Sequence, residues 1–127
     1  MTRLTIGKAF RFEAAHHLPG LPAGHQCARL HGHSYTATLT LSSPRVNEVG
    51  FVADFADLSP FGTYLADTFD HRVLNDVMME PPTCENIATH LLNWALENLP
   101  PDVAALTAAV RVQETATCWA ECTVDWA

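Results

Sequence analysis

Five of the seven histidines, His16, His17, His25, His31 and His33, fall within 18 residues. His31-Gly32-His33 sets two imidazoles at i and i+2, which on a strand point to the same side and can meet one ion. Gly32 between them lets the backbone bend or a ligand come close. His16 closes the preceding apolar stretch, and a long hairpin between the two stretches would bring it to the same ion. Three neutral imidazoles with a fourth position open make a catalytic zinc arrangement. His17 faces away from His16 and His25 sits mid-loop, so both rank lower as ligands. Cys27 has two readings. As a fourth ligand it closes a structural site and makes the chain a zinc-binding module. As a free thiol beside the ion it is a base or nucleophile and makes the chain an enzyme.

Two further groups carry chemistry. In Asp70-His71 a carboxylate can orient an imidazole that relays protons to a thiol, although the pair alone is common in proteins without that role. In Glu114-Thr115 a carboxylate can accept two parallel hydrogen bonds from a flat amidine-like edge, although a solvated strand end is the plainer reading. Gly-x-Gly-x-x-Gly, Walker A, Gly-x-Ser-x-Gly and His-Glu-x-x-His motifs are missing. That disfavours Rossmann oxidoreductases, P-loop nucleotidases, serine hydrolases and zincin proteases.

These groups need elements to position them. Alternation predicts a strand over 4–16, with Phe10, Phe12, Ala14 and His16 on one face, and a second over 31–42. The connection 17–30 holds two prolines and two glycines and reads as a long, functional loop. A turn at 54–57 precedes a helix over 59–69, with Ser59 as N-cap and Pro60 at the first helical position. Thr83 after Pro81-Pro82 caps a second helix, with Ile87, Leu91, Trp94 and Ala95 as its buried stripe and Pro100-Pro101 as its stop. Val103 to Thr115 and Cys118 to Val124 read as two more strands. The order ββααββ predicts an α+β fold: one four-stranded antiparallel sheet with two helices on one face.

A chain of 127 residues, 48% hydrophobic and 17% charged, fits one globular domain over 1–127. No apolar run approaches the ~20 residues that span a bilayer, and the start lacks a secretory leader, so a cytoplasmic address is expected. Seven Lys and Arg against 14 Asp and Glu give a net charge of −7. That balance argues against nucleic-acid and anionic-membrane partners. The four cysteines are expected as free thiols in a reducing compartment.

Several segments resemble, in order and over nearly the whole chain, the 6-pyruvoyltetrahydropterin and 6-carboxytetrahydropterin synthase family. They are Phe12-Glu13-Ala14-Ala15-His16, Cys27-Ala28-Arg29-Leu30-His31-Gly32-His33-Ser34-Tyr35, Gly50-Phe51-Val52-Ala53-Asp54-Phe55, Asp70-His71 with Leu74-Asn75-Asp76, Pro82-Thr83-Cys84-Glu85-Asn86, and Val112-Gln113-Glu114-Thr115. The resemblance implies a tunnelling fold, whose sheets join into a barrel in a trimer-based homo-oligomer, usually a hexamer, with sites between subunits. It implies Zn2+ on His16, His31 and His33, and a proton-transfer set of Cys27, Asp70 and His71. It implies a pterin-anchoring Glu114, with Thr83 and Glu85 lining the pterin pocket. Cys84 departs from the pattern, standing where a serine is common, and 121–127 match no usable pattern.

The short stretch from His16 to Cys27, and the absence of a Cys-Asn-Asn lead into His-Gly-His, resemble the bacterial 6-carboxy branch. The implied reaction converts 7,8-dihydroneopterin triphosphate to 6-carboxy-5,6,7,8-tetrahydropterin, releasing acetaldehyde and triphosphate, on the route to 7-deazaguanines such as queuosine. The pyruvoyl reaction is the alternative within the fold. Neither Lys8 nor Arg11 falls where it could hold the triphosphate in its own chain's site.

Overall fold

Alternation makes strands of the two longest apolar stretches in the computed structural model, which describes residues 1–125. β1 (Leu4–His16) and β2 (His31–Ser43) pair antiparallel without a break, from Leu4 opposite Ser43 to His16 opposite His31. Phe12, Ala14 and His16 of β1 and Tyr35, Ala37, Leu39 and Leu41 of β2 are buried on one face. Arg11, Glu13, Gly32 and Ser34 lie on the other, solvent-exposed face.

Helices α1 (Ser59–Thr68) and α2 (Cys84–Asn98) are amphipathic and supply the opposite wall of the core. Phe61 and Leu65 of α1 and Ile87, Leu91 and Ala95 of α2 are fully or almost fully buried against the sheet. Phe12 stacks on Tyr35 with centroids 4.9 Å apart and meets Phe69 edge-on at 5.6 Å. Gly62 is the point of closest approach: a Cβ there would stand 2.7 Å from the Phe10 ring.

Thr83 caps α2, its hydroxyl accepting from the Asn86 amide at 3.1 Å, and the turn before α1 is capped by Asp54. α1 begins one residue earlier in its cap frame than expected: Leu58 is the N-cap and Ser59 the first helical residue. Pro60 still lies within the first turn, where its missing N–H costs nothing.

The sheet has five strands, in the order β3-β1-β2-β4-β5, and is mixed rather than wholly antiparallel. The extra strand β3 (Arg72–Val73) runs parallel to β1, with Arg72 beside Ala14. Two residues carry no readable alternation. β4 (Thr107–Gln113) pairs with β2, and β5 (Trp119–Thr123) pairs with β4. The strand expected from Val103 starts later because Pro101–Ala104 forms a one-turn helix, α3. Proline at its start favours that turn over an extended chain. The end of the domain expected over 1–127, and of the unmatched segment 121–127, lies outside the described residues.

Candidate active site

The β1–β2 register decides where the histidines meet. His16 and His31 are direct cross-strand partners, and His33, two residues along, lies opposite Ala14 on the same face. One ligand atom from each of the three lies within 4.8 Å of the others, and the group sits at the end of the core. His16 is fully buried.

The ring nitrogens are assigned by their neighbours. His16 Nδ1 lies 2.7 Å from the Pro82 carbonyl, and His31 Nδ1 lies 2.7 Å from the Arg29 carbonyl. A carbonyl only accepts, so both Nδ1 atoms donate and both Nε2 atoms carry lone pairs when the rings are neutral. Those two Nε2 atoms face each other at 2.9 Å. His33 Nε2 is buried and, among the described residues, makes no hydrogen bond. Burial holds the His16 and His33 pKa values below the ordinary imidazole value, favouring the neutral rings a metal needs. Facing lone pairs, an unsatisfied third nitrogen and the two fixed tautomers of His16 and His31 fit what a borderline cation such as zinc requires.

Glu114 follows β4 and adds a negative charge. Its Oε1 stands 3.3 Å from both His16 Nε2 and His33 Nε2, within ion-pair reach of each. Its backbone N–H donates to the Cys118 carbonyl at 3.1 Å, so the β4–β5 hairpin carries it to the histidines. Tyr35 packs edge-on against the His16 and His33 rings, and its hydroxyl lies 3.3 Å from His16 Nδ1.

Cys27 sits in a single 3-10 turn, Gln26–Ala28. His25 caps that turn, its Nδ1 accepting from the Cys27 amide at 3.0 Å. Cys27 stands outside the three-histidine group but lines a cavity of about 220 Å³ with Gln26, His31 and His33. Thr83 is engaged as the α2 cap, and Glu85 is exposed in the first turn of that helix. Cys84 points inward and donates to the Val112 carbonyl, and burial pushes its thiol up to about 11.

Asp70 and His71 form a dyad at the end of α1. Asp70 Oδ2 accepts from His71 Nδ1 at 2.9 Å, leaving His71 Nε2 to face solvent, with 79% of the side chain exposed. Asp70 Oδ1 accepts the Glu13 amide at 2.8 Å, and this bond first, then His71, holds the carboxyl below its ordinary value. His71 has φ +58°, a left-handed conformation uncommon outside glycine and frequent at functional sites. Its amide donates to the Glu13 carbonyl, so one residue of β1 holds the dyad through both backbone groups.

His71 of the dyad lines a cavity with Glu13, Gly32, His33 and Ser34, separate from the cavity of Cys27. His33 lines both, and also a third, where Arg11 joins Gln113 and Glu114. The structure thus brings the three histidines and Glu114 together directly, and sets Cys27 and His71 in different cavities around them. Sequence reasoning assigned no role to Asn75, Asn86 or Tyr35, although each stands inside a segment that carries the resemblance.

A helix-backed sheet whose hairpin end gathers three imidazoles and a carboxylate defines a tunnelling-fold protein of the pterin synthase class. The model of the 6-pyruvoyl tetrahydropterin synthase family matches residues 5–125, and the chain belongs to that family. A 6-carboxy-5,6,7,8-tetrahydropterin synthase of Synechocystis is 36% identical over 118 residues, covering 88% of this chain and 87% of that protein. A relative from Archaeoglobus fulgidus is 34% identical, covering 93% and 94%. The solved structure of Caenorhabditis elegans 6-pyruvoyl tetrahydropterin synthase superimposes with a TM-score of 0.83 at 24% identity, covering 98% of each chain. Among the described residues no helix is long and apolar enough to cross a membrane.

Proposed function

We propose that the chain is a zinc-dependent 6-carboxy-5,6,7,8-tetrahydropterin synthase. Its reaction takes 7,8-dihydroneopterin triphosphate and one water to 6-carboxy-5,6,7,8-tetrahydropterin, acetaldehyde and triphosphate. The observation that carries this reading is the convergence of three imidazole nitrogens with Glu114 Oε1 3.3 Å from two of them. The edge a pterin would offer that carboxylate and the side chain it carries lie at opposite ends of the ring, so Glu114 must swing off the imidazoles for the side chain to reach the ion. Membership of the family and the Synechocystis relative support the pterin chemistry and favour the 6-carboxy product.

His16, His31 and His33 hold the ion, which when bound polarises the side-chain hydroxyls of the substrate and acidifies the neighbouring C–H bonds. Glu114 accepts the pterin 2-amino group and N3–H side by side, a pairing only a carboxylate offers twice. Thr83 and Glu85, at the start of α2, line the pterin side of the pocket. Cys27 takes a proton from the side-chain carbon beside the ion. Asp70 keeps the His71 proton on Nδ1, so His71 Nε2 is free to accept and return one. The ring gains the electrons that the cleaved side chain loses, so no external reductant enters.

His71 is too open to solvent to serve a closed pocket within its own chain. That exposure supports a homo-oligomer built from trimers, hexameric when two stack, in which the dyad of one subunit completes the site of another. Such an enzyme works in the cytoplasm, on the route to 7-deazaguanines such as queuosine. The structural zinc module is disfavoured because Cys27 stands outside the histidine group.

The test is to incubate the zinc-loaded protein with 7,8-dihydroneopterin triphosphate, trap acetaldehyde and count it against substrate consumed. One acetaldehyde per substrate supports the 6-carboxy reaction. A three-carbon diketo side chain with no acetaldehyde assigns the pyruvoyl reaction. No turnover with zinc bound returns the module.

A further inference from the structure

His16 is the last residue of β1, where the ladder stops, yet it is the most deeply buried of the three imidazoles. A strand end normally frays. Two asparagines outside the ligand set prevent that here. Asn75 meets the backbone of His17 through both ends of its amide: Oδ1 accepts the His17 N–H at 3.0 Å, and Nδ2 donates to the His17 carbonyl at 2.9 Å. It replaces the missing strand neighbour with a side chain. Asn86 acts on the other side of the ring. Its Nδ2 donates to the Pro81 carbonyl at 2.9 Å, and its backbone N–H donates to Thr83 Oγ1. Together these bonds fix the diproline turn that presents the Pro82 carbonyl to His16 Nδ1 at 2.7 Å.

Resting on the reading of His16, His31 and His33 as metal ligands, we propose that Asn75 and Asn86 are positioning residues for the metal centre. Asn75 sets where the His16 ring lies, and Asn86 sets the carbonyl that fixes its tautomer. Neither touches the ion or the reacting atoms. Groups that orient a ligating imidazole typically account for about 10–100-fold in metal affinity. A ring free to turn exposes Nδ1 or Nε2 with similar ease, and the three nitrogens no longer converge.

The experiment measures zinc affinity of the full chain by chelator competition, and the visible spectrum of the cobalt-substituted protein, for Asn75→Ala and Asn86→Ala. Asn98→Ala is the control, since Asn98 donates to the Trp94 carbonyl at the far end of α2. The expected result is zinc binding weakened about 10–100-fold in each of the first two, with shifted cobalt bands, and no change in the control. Asn75→Leu and Asn86→Leu keep nearly the volume and lose the hydrogen-bonding groups without adding charge, and they report the same effect should an alanine variant fold poorly. Folded variants that bind zinc within twofold of the parent, with the parent's cobalt spectrum, overturn the inference. A parent protein that takes up no zinc overturns the metal reading and the inference with it.

Discussion

Replacing Glu114 with glutamine tests the anchor with the smallest change in shape. The carboxylate accepts two hydrogen bonds from the pterin edge, whereas an amide offers one oxygen and turns an N–H toward a substrate donor. A hydrogen bond to a charged group is worth about 1.5–3 kcal/mol when buried. The Glu114 side chain is 26% exposed, so screening is partial and the lower half of that range applies. Loss of one such bond then weakens pterin binding by about 2 kcal/mol, or ~30-fold. The assay is direct titration of zinc-loaded protein with a non-reacting pterin, with metal content measured on the same sample. Because Glu114 Oε1 also stands 3.3 Å from two of the imidazole nitrogens, zinc content must be unchanged for the binding loss to be assigned to the anchor. Pterin affinity within threefold of the parent, with zinc in place, refutes the assignment.

The His31→Ala, His33→Ala double variant should retain less than a tenth of the parent's zinc, measured by elemental analysis after dialysis; full occupancy would place the metal elsewhere. Cys27→Ala should keep zinc and fold but lose at least about 100-fold in turnover, since a general base contributes at least that much; loss of zinc with loss of cooperative unfolding would make Cys27 a ligand instead. Burial pushes the His90 pKa below the ordinary imidazole value, and its Nε2 shares a hydrogen bond of 2.8 Å with Tyr64 Oη. The stability this pair contributes is therefore present above about pH 6.5 and lost as pH falls toward the depressed value, because the unfolded chain takes up the proton first. Thermal melts of His90→Gln should show a shallower decline below pH 6.5 than the parent, and an identical decline would remove His90 from the acid limb.

The meeting of the three histidines was legible because they obey period 2. His31 and His33 share a face by parity, and His16 joins them because an unbroken hairpin with residue 4 opposite residue 43 leaves no freedom in register. The α2 cap was legible for the same kind of reason, since Thr83 satisfies an orphan amide locally, whereas the Ser59 cap expected for α1 falls one residue inside the helix. β3 was not legible, because a two-residue strand has no pattern, and its place beside Ala14 depends on the turn that precedes it.

That turn explains why the dyad was visible as a motif but not as a geometry. An aspartate followed by a histidine says nothing about φ, and His71 reaches +58° only because Glu13 takes its amide while giving its own to Asp70. The partner is 57 residues away in sequence. The same holds for Asn75, whose amide acts on His17, 58 residues away, and for the Pro82 carbonyl, which Asn86 holds locally but which meets His16 66 residues away. Local physics writes the three-histidine cluster into the sequence, whereas most of the contacts that orient it are backbone-directed and join distant segments. Side-chain substitutions at Glu13 should consequently leave the Asp70–His71 geometry intact, since both holding bonds come from the Glu13 backbone. Among the described residues, the one side-chain bond that Glu13→Gln alters is the acceptance of Ser34 Oγ at 2.9 Å, which an amide oxygen can take over from the carboxylate.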